Sequence, residues 1–216
     1  MASRRRFLAT GLFIGAAALV GPFGVRARAG QRLAPTPAQP TGPFYPVSLP
    51  AEHDADLVRV AGAPEAAGQI VHLLGTVRDV EGATISRARV EIWQCDANGR
   101  YHHPGDRGAA TTDPGFQGFG VATTDSAGAY RFRTIQPVPY PGWTPHIHVM
   151  VSGAGIRRLV TQLYVVGAPD NARDGLFARL DPSAQARLLV GFEPASGLEP
   201  GALAGRFDIV VERADS

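Results

Sequence analysis

From Gln69 onward the chain reads as short runs rich in β-branched and aromatic residues, each closed by a turn signal. The runs are "QIVHLLGTVRD" from 69, "ARVEIWQCD" from 88, "AYRFRTI" from 129, "HIHVMVSG" from 146, "LVTQLYVVG" from 159 and "RFDIVVE" from 206. Glu81-Gly82, Asn98-Gly99, Ala127-Gly128 and Gly153-Ala154-Gly155 punctuate them with residues that tolerate turn conformations. In "VEIWQ", Val90 and Ile92 alternate with Glu91 and Trp93, and in "YRFRTI", Tyr130 and Phe132 alternate with Arg131 and Arg133. Period two sends alternate side chains to opposite faces, so both read as half-buried strands. The set predicts an all-β fold, an antiparallel β-sandwich. "DPSAQARLLVGF" from 181 breaks the pattern and reads as a short helix, with Asp181 as cap and Pro182 at the first helical position.

The upstream chain has a different texture. Residues 30–68 are rich in Pro, Ala and Gly, including "LAPTPAQPTGPFYPVSLP" from 33. Proline lacks a ladder donor and favours extended chain, so this segment is expected to lie as an arm over a domain formed by 69–216. Residues 1–29 resemble a twin-arginine export signal: Arg4-Arg5-Arg6-Phe7-Leu8, an apolar stretch from Leu12 to Val25, then Ala27-Arg28-Ala29 at the exit. Gly15, Gly21, Pro22 and Gly24 interrupt that stretch, which is short for a stable membrane span. Export to the periplasm or beyond is the expectation, with an uncleaved anchor as its rival.

Removing 1–29 changes the electrostatics. The segment takes five of the 21 basic residues and none of the 19 acidic ones, so the net charge moves from +2 to −3. The basicity belongs to the signal and argues against a nucleic-acid partner. All basic residues are arginines, which removes lysine Schiff-base chemistry. Cys95 is the only cysteine, so no intramolecular disulfide forms, and its place after "VEIWQ" predicts a buried strand residue, not a nucleophile. Oligomeric state stays open, a homo-oligomer included.

Most of the five tyrosines and six histidines have ordinary readings. Tyr130 belongs to the core, His53 to a charged surface loop, and His72 to a core strand. His146 and His148 differ, because they occupy alternate positions of an apolar strand and must point the same way. Together, "VEIWQCDANGRY", "TTDSAGAYRFRTIQPVPYPG", "PHIHVMVSG" and "TQLYV" resemble the intradiol ring-cleavage dioxygenases, with block order and approximate spacing kept. The likeness runs from "TGPFYP" at 41 to "RFDIVVE".

That resemblance implies a non-haem ferric ion held by Tyr101, Tyr140, His146 and His148, with a hydroxide completing the site. Phenolate is a hard anionic donor that favours Fe(III), and the metal's charge overrides the usual phenol pKa near ~10. Ferric iron, two phenolates and one hydroxide sum to zero charge, which a dry cavity tolerates. The implied partners are a small aromatic diol and O2. Tyr140 is the implied ligand that leaves when the diol binds, and the product is a cis,cis-muconate-type diacid. Gln162 in "TQLYV" is the other catalytic candidate, resembling the residue that holds an arginine in the family, and Pro43, Tyr45, Trp143, Tyr164 and Arg107 are the expected pocket residues.

One departure stands out. The family pattern places an arginine before the paired histidines, whereas here "GWTPHIH" carries Trp143. Arg107 or Arg100 would have to reach the pocket to replace it. His102 and His103 are expected to be a solvated loop pair. Two other functions compete: an exported transthyretin-like or adhesin-like β-sandwich without catalysis, and a zinc hydrolase built on His146 and His148, which lacks a clear third ligand.

Overall fold

The computed structural model describes residues 32–214, and the expected export signal over 1–29 lies outside them. Two five-stranded sheets pack face to face. In the first, β1 (Ile70–Asp79) is central, with antiparallel β4 (Ala129–Ile135) on one edge. Its other edge takes β9 (Leu203–Arg206) along Val71–Leu74 and then β10 (Ile209–Val211) along Val77–Asp79, both parallel. Strand β8 (Phe192–Pro194) closes this sheet beside β9. The second sheet runs β3 (Phe119–Thr123), β2 (Arg89–Trp93), β5 (His146–Ser152), β6 (Leu159–Val165) and β7 (Leu189–Val190). Three pairings are therefore parallel in a sandwich that is otherwise antiparallel.

Leu73, Val77 and Phe132 of the first sheet meet Val90, Ile92, Ile147, Val149, Val151 and Leu163 of the second in the main core. The helix α1 (Pro182–Leu188) begins where Asp181 accepts a hydrogen bond from the Ala184 amide at 2.9 Å. The run at 206–212 is not one strand. The Asp208 carboxylate accepts from the Thr76 amide at 2.9 Å, taking the place of a backbone carbonyl, and the chain breaks into β9 and β10 around it.

Strand β2 corrects the expectation of half-burial, since Glu91 is 5 % exposed and Trp93 is 1 % exposed. The reason is a second apolar cluster on the outer face of that sheet, where Trp93, Phe119 and Met150 pack under Phe44 and Tyr45. The segment from 32 to 68 supplies this cover. It is pinned by Thr36 N to Val210 O (2.9 Å), Gln39 N to Val160 O (2.8 Å) and Thr161 Oγ1 to Pro37 O (2.7 Å). It also sends Leu57 and Val58 into the main core. Cys95 is buried but lies two residues beyond β2, and burial followed by the Asp96 charge pushes its thiol up to about 12. It stays protonated and is no nucleophile.

Candidate active site

Alternation on β5 decides where the histidines go. Ile147, Val149 and Val151 fill the main core, so His146, His148 and Met150 face the outer cluster. His146 Nδ1 lies 2.7 Å from the Thr144 carbonyl, which makes Nδ1 the donor and turns the Nε2 lone pair inward. That Nε2 lies 3.3 Å from His148 Nε2 and 3.1 Å from the Tyr101 hydroxyl. The His148 ring stacks on Trp93 with centroids 4.9 Å apart and planes 2° apart. Gly42 closes on the same ring, where a Cβ would sit 3.0 Å from His148 Cε1. His148 Nδ1 is buried without a hydrogen-bond partner.

Tyr101 is delivered by the Asn-Gly turn. Asp96 Oδ1 accepts from the amides of Asn98 (2.9 Å) and Arg100 (3.0 Å), and Gly99 takes a φ of 71°. The next amide, of Tyr101 itself, donates to Asp106 at 2.8 Å, aiming the ring inward. Tyr140 arrives differently. "YPGW" forms a turn in which Trp143 N donates to Tyr140 O at 2.7 Å, with Pro141 second and Gly142 third at φ 87°. That is the type II pattern, and it sets Tyr140 and Trp143 side by side. The Tyr101 and Tyr140 rings lie 5.3 Å apart, edge to face.

These groups line a cavity of about 270 Å³, together with Pro43, Phe44, Gln162 and Leu176. Burial dominates their ionisation. It raises the Tyr101 phenol well above its usual value, with neighbouring negative groups adding to the effect. Burial also raises Tyr140, helped by the Asp106 charge and opposed by Arg100. Both histidines are pushed down by burial, His148 further because His146 adds its own charge. His146 Nε2 presents its lone pair beside the Tyr101 hydroxyl and His148 Nε2, so two imidazole nitrogens and a phenol oxygen cluster at the cavity wall. The donor set fits a metal that accepts nitrogen and phenolate oxygen. Among the described residues no group of three or more His, Cys, Asp or Glu side chains could hold a metal, so a zinc-hydrolase ligand set is not available.

The remaining expected residues fall outside the lining. Tyr45 packs beneath it against Trp93 at 5.0 Å and donates to Glu91 at 3.0 Å. Tyr164 is fully buried behind Gln162, its hydroxyl 3.3 Å from both Gln39 Oε1 and Gln162 Oε1. Arg107 is exposed and does not line the cavity. Arg100 is held in its own loop by the carbonyls of Gly108, Ala110 and Asp106 and by the Asp106 carboxylate at 3.3 Å. Among the described residues no arginine replaces the missing one, and the lining carries no carboxylate or guanidinium. Gln162 Nε2 donates instead to Pro40 O at 3.4 Å. His102 pairs with Asp96 at 3.3 Å, and His103 packs 5.5 Å from Phe44, both outside the cavity. Phe44, Gly42 and Leu176 were not expected. Phe44 lies in a turn beside Tyr45, and neither it nor Leu176 carries a sequence signal that sets it apart.

Residues 40–212 match the dioxygenase family model Dioxygenase_C. The chain is 38 % identical over 175 residues to the protocatechuate 3,4-dioxygenase beta chain of Burkholderia cepacia, covering 77 % of this chain and 74 % of that one. It is 34 % identical over 154 residues to a hydroxyquinol 1,2-dioxygenase of Corynebacterium glutamicum, covering 62 % and 47 %. The chain thus spans about half the length of its hydroxyquinol relatives. In structure it resembles the dioxygenase domain of a dioxygenase carbohydrate-binding protein fusion from Streptomyces sp. SirexAA-E, with TM-score 0.65, 31 % identity, and coverage of 84 % of this chain and 100 % of that one. The chain belongs to the intradiol ring-cleavage dioxygenase family, whose members are non-haem Fe(III) oxidoreductases.

Proposed function

We propose that this protein cleaves small, uncharged catechols between their hydroxylated carbons, using O2 and a ferric ion held by Tyr101, Tyr140, His146 and His148. The observation that carries the reading is that His146 Nε2 lies 3.1 Å from the Tyr101 oxygen and 3.3 Å from His148 Nε2. Bound there, ferric iron supplies the Lewis acidity that makes the ring diolate reactive toward O2. The chain's own residues do the rest. Tyr101 is 3 % exposed and can lose its proton only beside a multivalent cation, so it acts as a permanent anionic donor. Tyr140 is half-buried at the outer wall, where its oxygen can take a proton from the arriving diol. Phe44 and the Gly42–Pro43 segment close the cavity from above and exclude water. Together these steps suit a role in the breakdown of aromatic compounds.

The absence of a cation in the lining sets the preference. A carboxylate buried without a partner is costly, so catechol should exceed protocatechuate in kcat/KM by roughly tenfold or more. Trp143→Arg should narrow or reverse that ratio. O2 uptake with both substrates, with the ring-cleaved diacid identified, tests this; a wild type that prefers protocatechuate contradicts it. Export follows from Arg4-Arg5-Arg6 and the apolar stretch after them. Fractionated cells should hold the mature enzyme outside the cytoplasm, and cytoplasmic retention of the full chain overturns that part.

A further inference from the structure

The cavity is not sealed at its outer end. Tyr140 and Trp143 line both it and a second, open groove of about 400 Å³, whose far side carries Asp170, Arg173 and Asp174. Size separates the two spaces. A dry cavity of about 150 Å³ already holds benzene, so the inner 270 Å³ takes one dihydroxylated ring with O2 and leaves little for a second ring. A bulky substituent has to leave past Tyr140 and Trp143.

The groove has its own chemistry. Trp143 is 41 % exposed, unlike Trp93 at 1 %, and stands at the junction of the two spaces. The Arg173 side chain is 85 % exposed and meets Asp170 only at 3.5 Å, which leaves donors for a ligand oxygen. Asp174 is occupied by the amides of Leu176 (2.9 Å) and Phe177 (3.0 Å). Two carboxylates against one guanidinium give the groove a net negative charge, which disfavours an anionic substituent.

We infer that the enzyme takes catechols extended by a second, uncharged, oxygen-bearing aromatic ring, with the outer ring stacked on Trp143 within reach of Arg173. This rests on the intradiol reading and names the substrate class of the same site. The reaction keeps its balance: one carbon–carbon bond of the diol ring breaks, both atoms of O2 enter the product, and no outside reductant is consumed.

The test compares catechol with 4-(4-hydroxyphenyl)catechol on the iron-loaded full chain. The extended substrate should show a KM roughly threefold to tenfold lower. Trp143→Ala and Arg173→Ala should each shrink the ratio of the two kcat/KM values. Binding is read separately in iron-free protein, where 4-phenylphenol should quench tryptophan emission at lower concentration than phenol, with Trp143→Phe removing the response. Equal KM values together with equal quenching overturn the inference. A preference for a catechol whose outer ring carries a carboxylate also overturns it. If neither diol is cleaved, the intradiol reading fails instead, and the quenching still decides whether the groove binds a second ring.

Discussion

Tyr101 and Tyr140 face one cavity, yet their surroundings give them different tasks. Tyr101 is buried, held from behind by its amide on Asp106 and in front by His146. Tyr140 sits on a turn at the rim, half-buried. Tyr140→Phe should therefore retain most of the iron and lose about 10²-fold or more in kcat, as for a general acid–base group. Tyr101→Phe should lose iron first. Metal content and kcat measured on both variants separate the roles, and equal iron loss in the two would contradict the assignment. Residue types in order along the chain were enough to pick out these tyrosines and His146 with His148. They could not say that Gln162 binds the Pro40 carbonyl, because that contact depends on where the arm crosses. Nor could they separate Phe44 from Tyr45, since a turn at Gly42, with φ 73°, decides which ring faces inward.

At the scale of elements, β5 works with both faces. One face closes the sandwich and the other carries the metal-type donors, and the latter is dry only because the arm lies on it. Gly42 is where the two meet. Alanine there would adopt a left-handed backbone at a cost of about 1–2 kcal/mol and press on His148 Cε1. Gly42→Ala should lower Tm by several degrees, on the order of 4 °C, and speed iron loss to a chelator. A variant that keeps wild-type Tm and iron retention would show that the arm does not seat His148. The strands at 70–79, 129–135 and 146–152 are legible as β-branched and aromatic runs closed by turn signals, the second also by alternation. Strand β3 escaped notice because "FGVAT" is short and small, and the split at Asp208 escaped because a side chain there replaces a backbone acceptor.

Across the whole molecule, the arm and the C-terminal hairpin are tied to the first sheet by one ionic cluster. Arg133 contacts Asp56 (3.2 Å), Glu65 (2.5 Å) and Glu199 (2.6 Å), and Glu199 also meets buried His72 at 3.0 Å. Arg133 holds the Glu199 carboxyl at about 2, below its ordinary 4.5. A carboxyl depressed on folding contributes stability above its unfolded pKa, and that contribution fades as pH falls from about 4.5 toward 2. Because Glu199 is partly exposed, solvent screening reduces the effect to about 1–2 kcal/mol. Glu199→Gln should lose that much at pH 7 and only about a quarter of it near pH 2.5, as denaturant titrations at the two values would show. A loss independent of pH would assign Glu199 a packing role instead.

Metal analysis of the purified chain, with its visible spectrum, is the direct measurement of a ferric ion held by Tyr101, Tyr140, His146 and His148. About one iron per chain and a red-brown phenolate-to-iron absorption are expected, both largely lost in folded His146→Ala and His148→Ala proteins. Zinc in its place, or a folded, colourless, metal-free protein from iron-supplemented expression, would contradict the ferric site.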